Sequence, residues 1–421
     1  MQTTPARDVL LDLVRAAAIV AVVVQHWTMP VLAYSDGVLT TGNALTTPGW
    51  WVLTWLSQVM PLVFFAGGAA NLLSLRTAGS ARDWLARRTR RLLLPVLPLL
   101  AVWLVVPRLL RDLGVPAQPV EIAGDIAAQL LWFLAVYLLT VLATPLMAAL
   151  HRRAGFGVLI GLAAAAVVVD VVRFEVTPLA GYVNAVFVWL AVHQLGFHYA
   201  EGRLRTLSRR GALGLAAAGF GGTALLVAFG PYAASMIGMP GAPVSNMSPP
   251  AACLISLAAG QIGLVLAARS TLVRLVRTPF VGAAVGWLGP RFMSVYLWHM
   301  PALVVVSGGT VLALGYATPE PGTPAWLATT PSWLVLTGAV LAVLLRVFGR
   351  FETPRGSAAP PPPAGQLAAA CLLASAGLLG LAATGFSAEP ASGPVLWVSL
   401  IAAGYLLGTR PVRVTAPAIR G

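Results

Sequence analysis

Lysine is absent from this chain of 421 residues, and cysteine, histidine and acidic residues are few. Charged residues make up 10% of the sequence, whereas soluble domains carry about 25%. This scarcity excludes an ordinary soluble domain. The two cysteines, Cys253 and Cys371, lie in apolar stretches, so neither a disulfide framework nor a thiolate metal site is indicated, and we expect no bound metal.

Long apolar segments fill the sequence instead, and 58% of its residues are hydrophobic. A helix that spans a bilayer needs about 20 apolar residues, and this length predicts an all-α, polytopic integral membrane bundle of about twelve helices. The predicted segments are approximately 9–33, 51–74, 92–107, 126–150, 155–172, 183–200, 211–232, 251–268, 291–315, 331–348, 366–386 and 393–409.

The arginines predict how these helices are oriented. The net charge is +14, but the basic residues form short clusters between apolar runs, which indicates membrane topology and not a nucleic-acid partner. With the N-terminus in the cytoplasm, Arg108, Arg111 and Arg173 lie outside and Arg15 lies within the membrane, which leaves 23 of the 27 arginines inside. The arginine-only basic composition suggests a bacterium, so we expect a plasma-membrane protein with both termini cytoplasmic.

A proline-rich stretch, RFETPRGSAAPPPPAGQ, interrupts the helical pattern near the C-terminus. Proline clusters of this kind form semi-rigid linkers. We therefore predict a ten-helix core over residues 1–350, a cytoplasmic linker over 351–366, and two additional helices with a short tail over 367–421. Three loops rich in small and polar residues, 34–50, 233–250 and 316–330, are predicted to lie outside and to roof a cavity.

The first apolar segment carries Arg15 and His26 in the run RAAAIVAVVVQH. Eleven residues along an α-helix bring two side chains within about 20° of each other, three turns apart, and Asp12 lies one turn before Arg15. Ionisable residues are costly in a bilayer and usually mark function. Histidine titrates near neutral pH, so His26 is a candidate general base. The alternative is an interfacial Asp12–Arg15 pair with a structural histidine.

Three further stretches carry candidate site residues. SARDWLARRTRRLLLP concentrates arginines before a predicted helix, which would suit phosphate groups, although topology alone explains most such clusters. SVYLWHMP contains Tyr296 and His299 one turn apart, expected at modest depth from the cytoplasmic face. MPLVFFAGGAANLL contains the Gly67-Gly68 pair and Asn71, for which helix packing is the favoured explanation. His193, His198 and Asp170 receive no predicted role.

In order and spacing, these motifs resemble the membrane-bound acyltransferase family 3. Arg15 and His26 match its R-x10-H motif, and the match continues through MPLVFFAGG, RRTRRLLLP, LWFLAVYLL with Trp132, and YLWHMP. The resemblance covers about residues 7–348. One departure is Gly67-Gly68-Ala69, where many relatives have Ser-Gly followed by an aromatic residue.

The resemblance implies transfer of an acyl group, acetyl by default, from cytoplasmic acyl-CoA to an extracytoplasmic glycan, glycolipid or small-molecule hydroxyl. His26 would act as general base or acyl relay, and Arg15 would hold the donor or polarise the site. The implied donor contacts are Arg87, Arg88, Arg90 and Arg91. Further candidate site residues are Asp12, Asn71, Trp132, Tyr296 and His299.

Two other classes of protein remain open at this point. A twelve-helix proton-coupled transporter also uses intramembrane Asp, Arg and His, but the two halves of this sequence show no visible repeat. An inactive scaffold on the same fold is the other alternative, and the intact Arg15 and His26 argue mildly against it. A channel is disfavoured because no ring of like charges occurs.

Overall fold

The computed structural model describes residues 8–238, 242–352, 360–386 and 394–409. Within these ranges the chain is almost entirely helical, and its one sheet is a two-stranded hairpin. The predicted all-α membrane bundle is confirmed.

Seventeen α-helices follow one another along the described residues. They are α1 (Val9–Thr28), α2 (Thr54–Ser57), α3 (Met60–Arg76), α4 (Ala81–Leu93), α5 (Val96–Asp112), α6 (Ala117–Gln129), α7 (Leu131–Ala154), α8 (Phe156–Glu175), α9 (Asn184–Ala200), α10 (Arg209–Phe229), α11 (Cys253–Ala267), α12 (Arg269–Val276), α13 (Pro279–Leu288), α14 (Phe292–Ser307), α15 (Pro324–Phe348), α16 (Ala364–Thr384) and α17 (Pro394–Thr409). The hairpin strands are β1 (Pro30–Ser35) and β2 (Val38–Asn43), which join at Asp36 and Gly37, both with positive φ, as a tight hairpin turn requires.

Ten helical segments in the described part of the chain are long and apolar enough to cross a membrane. An eleventh arises if α11 and α12, which bend by 64° at their junction, form one broken span, and α17 is a shorter apolar helix. Each of the twelve predicted segments therefore corresponds to a helix or a pair of consecutive helices. The protein is a multi-pass membrane protein.

The helices form two compact units. The first unit comprises Met1–Arg76 and Ala143–Gly349, and the second comprises Thr77–Leu142 and Arg350–Gly421. The predicted division into a core, a linker and a C-terminal pair stays a prediction. Its linker lies partly outside the described residues, as do five of the arginines used to orient the chain, namely Arg7, Arg355, Arg410, Arg413 and Arg420.

In the first unit, α3 packs closely on α9 because both helices carry glycine at the contact. A Cβ atom at Gly68 would collide with the backbone carbonyl of His193, and one at Gly196 would collide with the backbone of α3. The predicted packing role of the small residues in MPLVFFAGGAANLL agrees with this contact. Helix α1 lies against α3, α14 and α15, and its Arg15 and His26 side chains are partly buried.

The loop that follows α10 is anchored by a buried polar network. The Asp170 carboxylate accepts hydrogen bonds from the Asn184 amide (2.7 Å), the Tyr232 hydroxyl (2.9 Å) and the Ala252 amide (2.7 Å). Arg173, also buried, donates to two backbone carbonyls of the same loop. These contacts satisfy charges that would otherwise be costly to bury, so Asp170 has a structural role that its sequence context did not reveal.

In the second unit, the C-terminal pair α16 and α17 packs together and also contacts α4. The Gly404 backbone approaches the Ala370 carbonyl so closely that a side chain would collide there. Cys371 lies 3.4 Å from the Thr89 hydroxyl, and both cysteines are buried and unpaired. By its contacts, the pair therefore groups with residues 77–142.

Candidate functional site

Helix α1 is fixed at its N-terminus by Asp8. The Asp8 carboxylate caps the helix by accepting two backbone N–H groups of the first turn, at 3.1 and 3.2 Å. Its other oxygen accepts a hydrogen bond from the Tyr199 hydroxyl at 3.0 Å. The start and orientation of α1 are thereby set against α9.

Arg15 and His26 both contact α14. The Arg15 guanidinium lies over the Phe292 ring at 5.4 Å from its centroid, and the His26 ring meets His299. The two side chains therefore share one face of α1, as their eleven-residue spacing predicts. His299 lies at the level of His26, near the C-terminal end of α1, and its depth from the cytoplasmic face stays a prediction.

The two imidazoles of His26 and His299 form a direct hydrogen bond. His26 Nδ1 lies 3.0 Å from His299 Nε2. The ring planes differ by 8° and the ring centroids are 5.3 Å apart. Two rings that share a plane and are joined nitrogen to nitrogen have this centroid separation, so the hydrogen bond is close to linear. We call this pair the histidine dyad.

The partners of His299 define the tautomers of the dyad. His299 Nδ1 lies 2.8 Å from the Tyr296 carbonyl oxygen and 3.2 Å from that of Val295. Carbonyls only accept, so Nδ1 carries the proton and Nε2 of a neutral His299 offers a lone pair. His26 then donates from Nδ1 and keeps its own lone pair on Nε2. That nitrogen has no hydrogen-bond partner among the described residues, and His26 is only partly buried.

Two tryptophans brace the dyad. The Trp27 indole donates to the His299 carbonyl at 2.9 Å, and the Trp333 indole donates to the Trp27 carbonyl at 2.8 Å. These bonds join α1 to α14 and α15. Because Trp27 is buried, its hydrogen bond is protected from competing water, and the position of His299 relative to α1 is held firmly.

A small cleft lies at the C-terminal end of α1. It is lined by aromatic and threonine side chains of α1, α15 and the segment before α15, and neither histidine of the dyad is among its described lining residues. Two of the three loops predicted to roof a cavity meet here, because Trp50 of the first loop packs edge to face on Trp326 of the third, with ring centroids 5.8 Å apart.

Comparison with known protein families identifies the family to which this chain belongs. A family model described as an acyltransferase domain matches residues 8–349, most of the chain. The chain belongs to the membrane-bound acyltransferase family 3. The family match spans both histidines of the dyad and decides in favour of an acyltransferase against the transporter alternative. Searches of curated proteins and of solved structures give no match.

The arginines of this acyltransferase that were predicted to bind phosphate lie in the second unit, on α4. Ser80 caps α4 at Ala81, and α4 forms the first part of the candidate membrane span Ala81–Asp112, so the arginines lie near the start of that span. Arg90 and Arg91 fall in the last turn of α4. The helix is amphipathic, and Trp84 and Leu85 are buried.

The four arginines differ in their surroundings. Arg87 and Arg91 are exposed, and the Arg88 guanidinium lies 5.7 Å from the centroid of the Trp84 ring. Arg90 is partly buried, and its Nε has no hydrogen-bond partner among the described residues. Of the four, Arg87 and Arg91 are the most accessible to a ligand.

The remaining predicted residues of the acyltransferase do not contact the free edge of His26. Asn71 is fully buried between α3 and α9, where its amide nitrogen lies 3.2 Å from His193 Nε2. Trp132 belongs to the second unit and packs edge to face on Phe133. Asp12 is partly buried on α1. Tyr296 serves through its backbone carbonyl, as described above.

A second polar cluster, at the ends of α7 and α9, was not anticipated from the sequence. His151 lies 2.8 Å from Gln194 Oε1 and 3.0 Å from Glu201 Oε2, and Arg76 also pairs with Glu201. These residues come from three separate helices, so no local sequence motif predicts the cluster. In the described part of the chain, no group of three or more His, Cys, Asp or Glu side chains is arranged to hold a metal ion.

Proposed function

We propose that this acyltransferase transfers an acyl group, most simply acetyl, from acyl-CoA to a hydroxyl of an extracytoplasmic glycan, glycolipid or small molecule. The arginine distribution of the sequence supports a bacterial plasma membrane with both termini in the cytoplasm. With that orientation the C-terminal end of α1, the histidine dyad and the cleft lie toward the exterior. The donor enters from the opposite side.

The observation that carries this proposal is the free Nε2 of His26. His299 accepts the Nδ1 proton of His26 at 3.0 Å, and its own Nδ1 is committed to the Tyr296 carbonyl. The dyad thus holds His26 as a neutral imidazole whose lone pair lies on Nε2. This is the state that a general base needs before proton transfer.

In the proposed chemical step, His26 Nε2 takes the proton of the acceptor hydroxyl while the hydroxyl oxygen bonds to the thioester carbonyl carbon. The C–S bond breaks, and the CoA thiolate leaves and is protonated by the imidazolium or by water. We assign Arg15 to holding the donor or polarising the thioester, because its guanidinium, 5.4 Å from the Phe292 ring centroid, keeps a full positive charge.

The donor phosphates are assigned to the arginines of α4. Arg87 and Arg91 are exposed, and guanidinium groups bind phosphate through paired hydrogen bonds. Arg88 and Arg90 complete the set. Replacing Arg90 and Arg91 with glutamine should raise the KM for acyl-CoA without lowering the amount of folded protein.

The test uses the purified full chain in detergent and measures binding of radiolabelled acetyl-CoA together with release of CoA. His26→Asn should lower CoA release by about 100-fold or more while donor binding is retained, since general bases contribute about 10²–10⁴-fold. The control is His198→Asn, the same change at a buried histidine without hydrogen-bond partners among the described residues.

Two results would contradict the proposal. Folded wild-type protein that binds no acyl-CoA overturns the donor assignment. Equal CoA release by wild type and His26→Asn overturns the role of His26. If acid-quenched protein retains label in a His26-dependent way, the histidine acts as an acyl relay and not as a direct base.

A further inference from the structure

We propose that the C-terminal pair, α16 and α17, positions the arginines of α4 for the phosphates of the acyl donor, with Thr89 and Cys371 as positioning residues at the contact. This inference rests on the proposed function, in which those arginines bind acyl-CoA. It assigns a role to two helices that follow the end of the family match, which stops at residue 349.

Thr89 lies at the centre of the arginine-rich stretch of α4, and its side chain is fully buried. The adjacent Arg88 and Arg90 are partly buried, whereas Arg87 and Arg91, two positions away, are exposed. At about 100° per residue, the residues two positions before and after Thr89 point about 160° away from it and share one face of the helix. The direction in which Thr89 is held therefore sets the direction in which Arg87 and Arg91 point.

The C-terminal pair encloses Thr89. Among the described helices, α4 packs most extensively on α17 and next on α16. The Cys371 sulfur of α16 lies 3.4 Å from the Thr89 hydroxyl. On α17, a Cβ atom at Gly408 would lie 3.1 Å from the Thr89 methyl carbon, so the backbone of this helix is already close to Thr89. The position of Thr89 is therefore set by both helices of the pair.

The C-terminal pair is itself held in place by close packing and hydrogen bonds. Its two helices approach each other at Gly404, where a side chain would collide with α16. The Gln366 amide of α16 donates to the Leu407 carbonyl of α17 at 2.7 Å, and the Ser375 hydroxyl of α16 donates to the Ala135 carbonyl of α7 at 3.2 Å. Because close-packed interfaces transmit displacement, a change where the pair meets α4 is expected to reorient the arginines.

The experiment measures donor binding by the full chain in detergent, with radiolabelled acetyl-CoA as the probe and S-acetylpantetheine, which has no phosphate group, as a competitor. Cys371→Leu overpacks the contact with Thr89 and should raise the Kd for acetyl-CoA about tenfold, as expected for the loss of one hydrogen bond to a charged group. Gly408→Ala presses on Thr89 from α17 and should raise the Kd as well. The inhibition constant of S-acetylpantetheine should stay within about twofold, because this compound offers the arginines no phosphate.

Two controls separate positioning from a general loss of stability. Cys253→Leu makes the same change at the other buried cysteine of the chain, on α11 in the first unit, and should leave the Kd for acetyl-CoA unchanged. Thr89→Ala removes as many heavy atoms as Cys371→Leu adds, so the double variant restores the volume of the contact and should recover most of the affinity. Size-exclusion chromatography measures the folded fraction of each variant, and the Kd is calculated for that fraction.

A double-mutant cycle tests whether the pair acts through the arginines. Arg87→Gln combined with Arg91→Gln should raise the Kd for acetyl-CoA, and Cys371→Leu should add no further increase in that background. The positioning role is overturned by an unchanged Kd in both folded Cys371→Leu and Gly408→Ala, by an equal increase in Cys253→Leu, or by an increase that is additive with the arginine changes. Folded wild type that binds no acetyl-CoA, or whose binding does not depend on these arginines, would instead overturn the donor assignment of the proposed function.

Discussion

The five histidines of the chain all lie in the first compact unit, yet they form two groups that differ in hydrogen bonding and in burial. The dyad of His26 and His299 joins α1 to α14 and leaves one nitrogen without a partner among the described residues. The second group, His151, His193 and His198, lies on α7 and α9. Comparison of the two groups shows what separates a candidate base from a structural histidine.

His151 has no free nitrogen. Its Nδ1 faces Gln194 Oε1, whose amide nitrogen is turned to the Met147 carbonyl, and its Nε2 faces the Glu201 carboxylate. Both ring nitrogens therefore face acceptor atoms, and neither is open to a substrate. Burial alone would raise the pKa of Glu201, but hydrogen bonds from His151 and Arg76 hold that pKa below its ordinary value. This cluster is a saturated ion network with no lone pair to offer.

His193 and His198 fail for a different reason. His193 Nδ1 and both ring nitrogens of His198 have no partner among the described residues, but both side chains are fully buried. A base must have a free nitrogen and also be reachable by its substrate. Only His26 combines the two, because its Nε2 is unpartnered among the described residues and its side chain is partly exposed. Hydrogen bonding therefore excludes His151, and burial excludes His193 and His198.

The largest effect on activity is expected at His299, and it tests whether the dyad differs in function from the other histidines. His299→Leu removes the acceptor for the Nδ1 proton of His26, so the ring loses its tautomer and orientation, and we expect kcat to fall by about 100-fold with little change in the KM for acyl-CoA. His299→Gln keeps a side-chain oxygen that accepts from His26 and should recover part of the rate. Steady-state CoA release measures both.

The matched control is the same pair of changes at His198, which should leave kcat near wild type. Equal loss of rate in His299→Leu and His299→Gln would mean that packing, not hydrogen-bond acceptance, explains the role of His299. Unchanged rates in both variants would remove the basis for treating the two histidines as a functional pair.

A smaller effect, on stability alone, is expected in the second group. Asn71→Leu keeps the side-chain volume but leaves His193 Nε2 without its partner in a fully buried contact. Such losses cost about 1–3 kcal/mol, so thermal unfolding in detergent should occur at a lower temperature while kcat per folded molecule stays within about twofold. A loss of kcat at unchanged stability would instead assign Asn71 to the functional site and contradict the separation of the two groups.

Much of the fold and both histidines of the dyad were accessible from the sequence, but the pairing of the two histidines was not. Long apolar runs predicted the membrane helices, and the spacing of Arg15 and His26 predicted their shared face, because both signals lie within one helix. The pairing of His26 with His299 depends on how α1 and α14 align. The two histidines are 273 residues apart in the sequence, so no local pattern predicts their contact. The start of α4 was missed because the Ser80 cap was outweighed by the longer apolar run after it.

The smallest effect tests the saturated cluster through pH. Glu201 has a pKa below its ordinary value of 4.5, so its ionised form stabilises the folded state above that pH, and this contribution is lost as pH falls through the lowered folded-state pKa. Glu201→Gln should therefore lower the melting temperature by about 1 °C at pH 7, consistent with about 1 kcal/mol for a partly exposed ion pair. The difference from wild type should shrink below pH 4.5. Glu320→Gln, at an exposed carboxylate, is the control. A melting-temperature difference between Glu201→Gln and wild type that grows as the pH falls would contradict the network. Protonated Glu201 has lost the negative charge that pairs with Arg76 and accepts from His151.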